Sequence, residues 1–163
     1  MNIRAKLRRE DGAAAVEFAL IVGVLAMLIF GMLQYGLAFF QLQNLRAAAR
    51  EGARIGAVGA TVPQIKQRTA DASLGALPAN SGAVNVYYTA DGTTWGGPLG
   101  NTTTGCPVKA NQTTSSQVKV EVDLMSPALP ALLDNIFIVD IPMMPPISLK
   151  GAQISGVFRC EGN

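Results

Sequence analysis

The hydrophobic pattern is dominated by one stretch, Gly12 to Phe40, reading GAAAVEFALIVGVLAMLIFGMLQYGLAFF. Its only charge is Glu17, and no residue from Phe18 to Leu33 is charged or strongly polar. The run is longer than the ~20 residues a helix needs to cross a bilayer, which predicts a membrane span over about residues 16–40. Past it, Leu42 to Ala57 is rich in Ala, Leu, Gln and Arg, all helix formers, and the first proline is Pro63. One continuous helix from about Ala13 to Val58 would reach ~70 Å at 1.5 Å per residue, long enough to cross the bilayer and project beyond it.

After Gly59 the pattern changes. Pro63 to Leu77 carries apolar residues at Ile65, Ala72 and Leu77, with Thr61 as a candidate cap and Pro78 as a stop, and predicts a short second helix. Val84 to Thr89 (VNVYYT) is enriched in β formers. Asp91-Gly92 and a Gly-, Thr- and Asn-rich stretch to Ser116 read as turn and loop. Val118 to Leu124 alternates Val118, Val120, Val122 and Leu124 against Lys119, Glu121 and Asp123, a strand with one buried and one wet face. Between Ser126 and Pro146, five prolines (127, 130, 142, 145, 146) exclude a long helix and argue against a second span. Ile147 to Cys160 reads as a strand or two, broken by Gly151 and Gly156. The fold class is therefore α+β: a long N-terminal transmembrane helix over 13–59, then a small, mostly β domain over 60–163. Residues 1–12 form a leader.

Charge sharpens this division. The net charge of +2 lies in the first twelve residues, where Arg4, Lys6, Arg8 and Arg9 face Glu10 and Asp11; the rest of the chain is balanced. A basic leader without a basic domain gives no sign of a nucleic-acid surface. Positive residues ahead of an apolar span favour a cytoplasmic amino terminus and an extracytoplasmic carboxyl-terminal part. The far flank, with Arg46, Arg50 and Arg54 against Glu51, pulls the other way. Cys106 and Cys160 both fall in the translocated part, where two cysteines in a small domain most simply form one disulfide, the alternative being two unrelated buried thiols. A loop that long would contribute roughly 4 kcal/mol before strain is subtracted.

The leader has the outline of a secretory signal, but the apolar run is too long and ends on bulky Phe39-Phe40, so an uncleaved anchor fits better than ordinary signal cleavage. Glu17 needs an account, because a carboxylate near the bilayer centre costs ~2.5–3.5 kcal/mol on insertion scales. One reading leaves it solvated at the cytoplasmic headgroups. The other turns on spacing: a cut after Gly12 would make Ala13 the first residue and place its new amino group one helical turn from Glu17.

A basic leader, a glycine, a glutamate five residues on and an apolar helix resemble the processing signal of type IV pilins and pseudopilins. More closely, GAAAVEFAL, the span and then NLRAAAREGARIGA resemble the TadE family of minor pseudopilins of Flp/Tad (tight adherence) pili. The resemblance covers Arg8 to about Ala60 and includes Ala49-Arg50-Glu51-Gly52-Ala53-Arg54, a segment typical of that family; relatives often carry proline where this chain has Gly23. It implies a pilin-like helix, cleavage between Gly12 and Ala13 by a prepilin peptidase, and Glu17-Phe18 as an assembly and processing motif. The implied partners are other Tad pseudopilins or the major pilin, an inner-membrane assembly platform and the lipid bilayer. The implied location is the bacterial inner membrane, single-pass, with a periplasmic carboxyl-terminal domain, the filament itself being a further destination.

On the long helix Arg46, Arg50 and Arg54 fall at i, i+4 and i+8 and form one basic stripe, with Glu51 able to meet Arg54. A solvated face, anionic headgroups and acidic groups on a neighbouring subunit all fit such a stripe. Ala15, Ala19 and Gly23, and again Ala48, Gly52 and Gly56, repeat every four residues, a spacing that lets helices approach closely and that also arises by chance in Ala- and Gly-rich segments.

Catalytic patterns do not emerge. The chain has no histidine, which removes Ser-His and Cys-His nucleophile arrangements, and two cysteines cannot make a zinc site alone. Glu121 and Asp123 share the wet face of a strand, an ordinary surface arrangement, and Gly96-Gly97 has no neighbouring lysine to make a phosphate loop. The sequence therefore predicts no enzyme, no metal and no cofactor. The resemblance implies a minor pseudopilin working by assembly, with a signal-anchored periplasmic binding or adhesive domain as the rival.

Overall fold

Helices α1 (Ile3–Ala57) and α2 (Val62–Ala72) and strands β1 (Val84–Thr89), β2 (Gln117–Val122) and β3 (Ile154–Arg159) follow in chain order. The structure is a computed structural model describing residues 3–79, 81–107, 114–126 and 154–161, with side chains from residue 12 onward. The prolines from Pro127 to Pro146, and Gly151, lie outside the described residues. The architecture is α+β, a long apolar amino-terminal helix followed by a small three-stranded antiparallel sheet. The chain divides into two compact units, Met1–Leu37 and Ala38–Asn163.

In the first unit every large apolar side chain from Val16 to Leu33 is exposed. The second unit begins with the last part of α1, which buries Ala38, Leu45, Ala49, Ala53 and Ala57 in the domain core. Four of its five core side chains there are alanines, and small residues let the helix backbone come close to what it covers. α1 ends in a Schellman arrangement: Gly59 (φ +90°) donates its N–H to Gly56 O at 3.1 Å and Ala60 donates to Ile55 O at 3.2 Å. Glycine suits that left-handed position because it has no Cβ to clash.

Thr61 starts α2 in extended conformation, and the Gln64 side-chain oxygen accepts both its backbone N–H (2.9 Å) and its hydroxyl (3.0 Å). Pro63 falls in the first turn, where a missing N–H costs nothing. The helix stops at Ala72 rather than running to Leu77. Ser73 redirects the chain by donating its hydroxyl to Ala70 O at 2.6 Å and accepting Leu77 N–H at 2.9 Å. Leu74 (φ +55°) and Gly75 (φ +88°) then turn left-handed. Leu77 still reaches the core from that turn.

β2 is the central strand, antiparallel to β1 and β3, with Val86↔Val120↔Gly156 and Tyr87↔Lys119↔Val157 in register. Val118, Val120 and Val122 are buried and Lys119 and Glu121 half-exposed, so the alternation in the sequence becomes the two faces of the sheet. Gly156 does not break β3. It sits inside the strand, where an added Cβ would lie 2.6 Å from Ala49 C and from Arg50 N, so its bareness admits the backbone of α1. Gly52 and Gly56 play the same part toward α2 and β2: a Cβ on Gly52 would strike the Thr69 hydroxyl, and one on Gly56 would meet Ile65 and Val118. The small-residue repeat at Ala48, Gly52 and Gly56 is thus used within the chain.

Candidate assembly helix

The residues singled out by sequence divide between the two units. Gly12, Ala13, Glu17 and Phe18 are exposed on α1, and the helix runs through Gly12-Ala13 unbroken from Ile3. Ala13 and Glu17 are one turn apart on this helix, as the i, i+4 spacing dictates. Ala15, Ala19 and Gly23 are exposed too, and among the described residues nothing stands within 4 Å of a Cβ placed on Gly23. On the same unit Leu20, Ile21, Val24, Leu25 and Leu28 line an apolar groove at helical spacing. Such a face, with nothing polar to satisfy, suits lipid or a second apolar helix.

Arg46, Arg50 and Arg54 are all exposed on the part of α1 that belongs to the second unit. Among the described residues, Arg54 alone of the three joins the ion pairs found there. Its Nε and Nη2 donate to the two oxygens of Glu51, each at 2.9 Å. Arg68, from α2, donates to Glu51 Oε1 through Nε at 3.0 Å and Nη2 at 2.9 Å. These hydrogen bonds, first from Arg54 and then from Arg68, hold the Glu51 carboxyl down at about 2 against the ordinary 4.5. The Glu51–Arg54 contact was readable at i+3; Arg68, seventeen residues from Glu51, carried no signal of its own.

The loop after α1 is fastened from several sides. Val62 N–H donates to Thr103 O at 2.9 Å and Gly105 N–H to Ala60 O at 2.9 Å, which lays residues 103–105 along the α1–α2 junction. Cys106 follows directly and is bonded to Cys160, with Cα atoms 5.9 Å apart. Next to Cys160, Glu161 N–H donates to Ala57 O at 3.0 Å, satisfying a carbonyl at the end of α1. On the outer face of the sheet the Lys119 ammonium lies 4.5 Å from the Tyr87 ring centroid, 5.1 Å from that of Trp95 and 3.0 Å from Glu121. That cluster was not anticipated from sequence; only the β1–β2 register reveals Tyr87 opposite Lys119.

Residues 12–54 match the model of the family described as TadE-like protein. The amino-terminal segment is similar to that family. The match begins at Gly12, runs through the apolar helix and ends at Arg54, so the TadE-like segment contains Glu17 and the Glu51–Arg54 pair but not Arg68. Within it α1 is long and apolar enough to cross a membrane. No curated protein and no solved structure matches the chain.

Proposed function

We propose that the protein is a minor pseudopilin of a Tad/Flp pilus and that its work is assembly rather than catalysis. The supporting observation is that the TadE-like match falls on a helix whose large apolar side chains from Val16 to Leu33 are all exposed. In this reading α1 is held in the inner membrane with its amino terminus cytoplasmic, and residues from about 41 onward are periplasmic, where the Cys106–Cys160 bond is chemically at home.

Cleavage between Gly12 and Ala13 by prepilin peptidase would change the setting of Glu17. In the uncut chain it is a carboxylate deep in a helix that began at Ile3. After the cut it stands one turn from a new α-amino group and close to the positive end of the helix dipole. Both suit a carboxylate, whether the amino group is its own or that of an adjacent subunit, so processing turns a poorly placed charge into a pairing group. The Leu20–Leu28 groove and the Ala15, Ala19, Gly23 line then pack against neighbouring pilin or pseudopilin helices. Because Gly12-Ala13 lies within a helix, the peptidase must open the helix locally to reach the bond.

Intact mass and amino-terminal sequencing after co-expression with the peptidase test this reading. The expected product begins at Ala13; a chain left whole, or cut elsewhere, would sink it.

A further inference from the structure

We propose that Arg46 and Arg50 bind the phosphates of anionic phospholipids where α1 leaves the membrane. The proposal rests on the membrane insertion argued above. Arginines that look equivalent in the sequence differ in their surroundings: Arg54 is taken up by Glu51, which also engages Arg68, while no carboxylate among the described residues pairs with Arg46 or Arg50. Glu51 is the one acidic residue between Phe40 and Ala57, so this part of α1 presents net positive charge.

Position along the helix selects the partner. Phe39 is exposed, and Arg46 and Arg50 follow it at i+7 and i+11, within about 20° of one line down the helix. The buried Ala38, Leu45 and Ala49 occupy a separate face. The apolar run ends at Phe40 and passes to Gln41, Gln43 and Asn44. Arg46 lies ~9 Å and Arg50 ~15 Å beyond Phe40 along the axis. The headgroup layer is ~5–8 Å thick on each side of the hydrocarbon. Helical side chains lean toward the amino terminus, so both arginines point back toward the apolar run, and their long stems can snorkel to carry the guanidinium to headgroup depth. A guanidinium forks onto two phosphate oxygens as an ammonium cannot. A neighbouring subunit's acidic surface would need to meet the stripe at one particular height, whereas lipid phosphates are present at this depth on every side of the helix.

The full chain, placed in nanodiscs of an equal mixture of phosphatidylglycerol and phosphatidylcholine, is released into native mass spectrometry and its retained lipids counted. Each arginine at an anionic surface is worth about five-fold in retention. The wild type is expected to retain phosphatidylglycerol several-fold over phosphatidylcholine, R46Q/R50Q to retain both equally, R46K/R50K to fall between, and R54Q to behave as wild type. If R46Q/R50Q proves unstable, the wild type at rising salt gives the same reading, since screening must erase the preference. Equal phosphatidylglycerol retention by wild type and R46Q/R50Q overturns the proposal. So does failed pilus assembly in R46Q/R50Q with lipid retention unchanged, which would assign the stripe to an acidic subunit surface. Alkaline carbonate extraction separates the two levels: release of the wild type from membranes overturns the insertion reading and this proposal together, and continued retention alongside an unaltered lipid count overturns this proposal alone.

Discussion

Glu51 is reached by two guanidiniums from different helices, and this sets both what it contributes and how that contribution depends on pH. Both arginines are more than half exposed, so solvent screens the pairs and their contribution at neutral pH is small. The carboxyl is held at about 2 in the folded chain against 4.5 ordinarily. A lowered folded-state value favours folding when the group is ionised, so its stabilisation is complete above about pH 4.5 and is lost as the pH falls toward 2. Glu51→Gln in detergent-solubilised full chain should therefore melt slightly below wild type at pH 7 and match it near pH 2. Some acid sensitivity will survive in the variant, because Asp91 is also held low by the Thr94 and then the Thr93 backbone N–H groups and the Thr89 hydroxyl. Thermal melts by circular dichroism across that range check it; an identical pH dependence in the two proteins would remove the role given to the pair. At the other end of α1, Glu17→Ala separates assembly from tethering. Membrane retention should be unchanged while pilus biogenesis fails, and normal pili from the variant would favour an anchored domain acting alone.

Among the elements, the contact of β3 with α1 depends on a missing side chain. At Gly156 an added Cβ would come 2.5 Å from Ala49 O, and a backbone atom inside a helix cannot rotate away. Gly156→Ala should cost ~1–3 kcal/mol by overpacking. Gly97→Ala, where nothing among the described residues stands within 4 Å, should change stability little. Equal denaturation midpoints for the two variants would mean the α1–β3 approach is looser than described. The same contact explains what the sequence showed and what it hid. β1 and β2 were legible because five of the six residues of Val84–Thr89 are β formers and the β2 valines alternate, both local signals. Gly156 gave a false break because local propensity marks glycine as weak in a strand, while its use here is set by Ala49, more than a hundred residues away in sequence. The overlong α2 failed similarly: Ser73 and Leu74 are ordinary helix residues, and the turn they make is fixed by Leu77 reaching the core. At the candidate site, Glu17 and the arginine spacing were visible, while the separation of Arg54 from Arg46 and Arg50 needed Glu51 to be seen holding Arg68 as well.

At the scale of the whole molecule, α1 carries two kinds of surface that answer to different surroundings. Up to Leu33 its large apolar side chains are exposed, whereas from Ala38 to Ala57 its small ones are core. The carboxyl-terminal domain therefore does not begin where the helix ends. Without the helix, Val62, Ile65, Val118, Val120 and Ile154 lose the alanine face that helps to cover them, and the three strands and one short helix among the described residues are a marginal core by size. The disulfide cannot compensate, because it joins Cys106 to Cys160 and neither belongs to α1. It constrains the unfolded chain without replacing buried surface. A fragment of residues 41–163, which keeps Leu42, Leu45, Ala49, Ala53 and Ala57, should unfold in one cooperative transition in water. A fragment of residues 60–163 with the same disulfide should show no sharp transition and should bind a hydrophobic dye. Cooperative melting of the shorter fragment at a similar temperature would show that the sheet is self-sufficient, and that the end of α1 is attached to the domain without being part of its core.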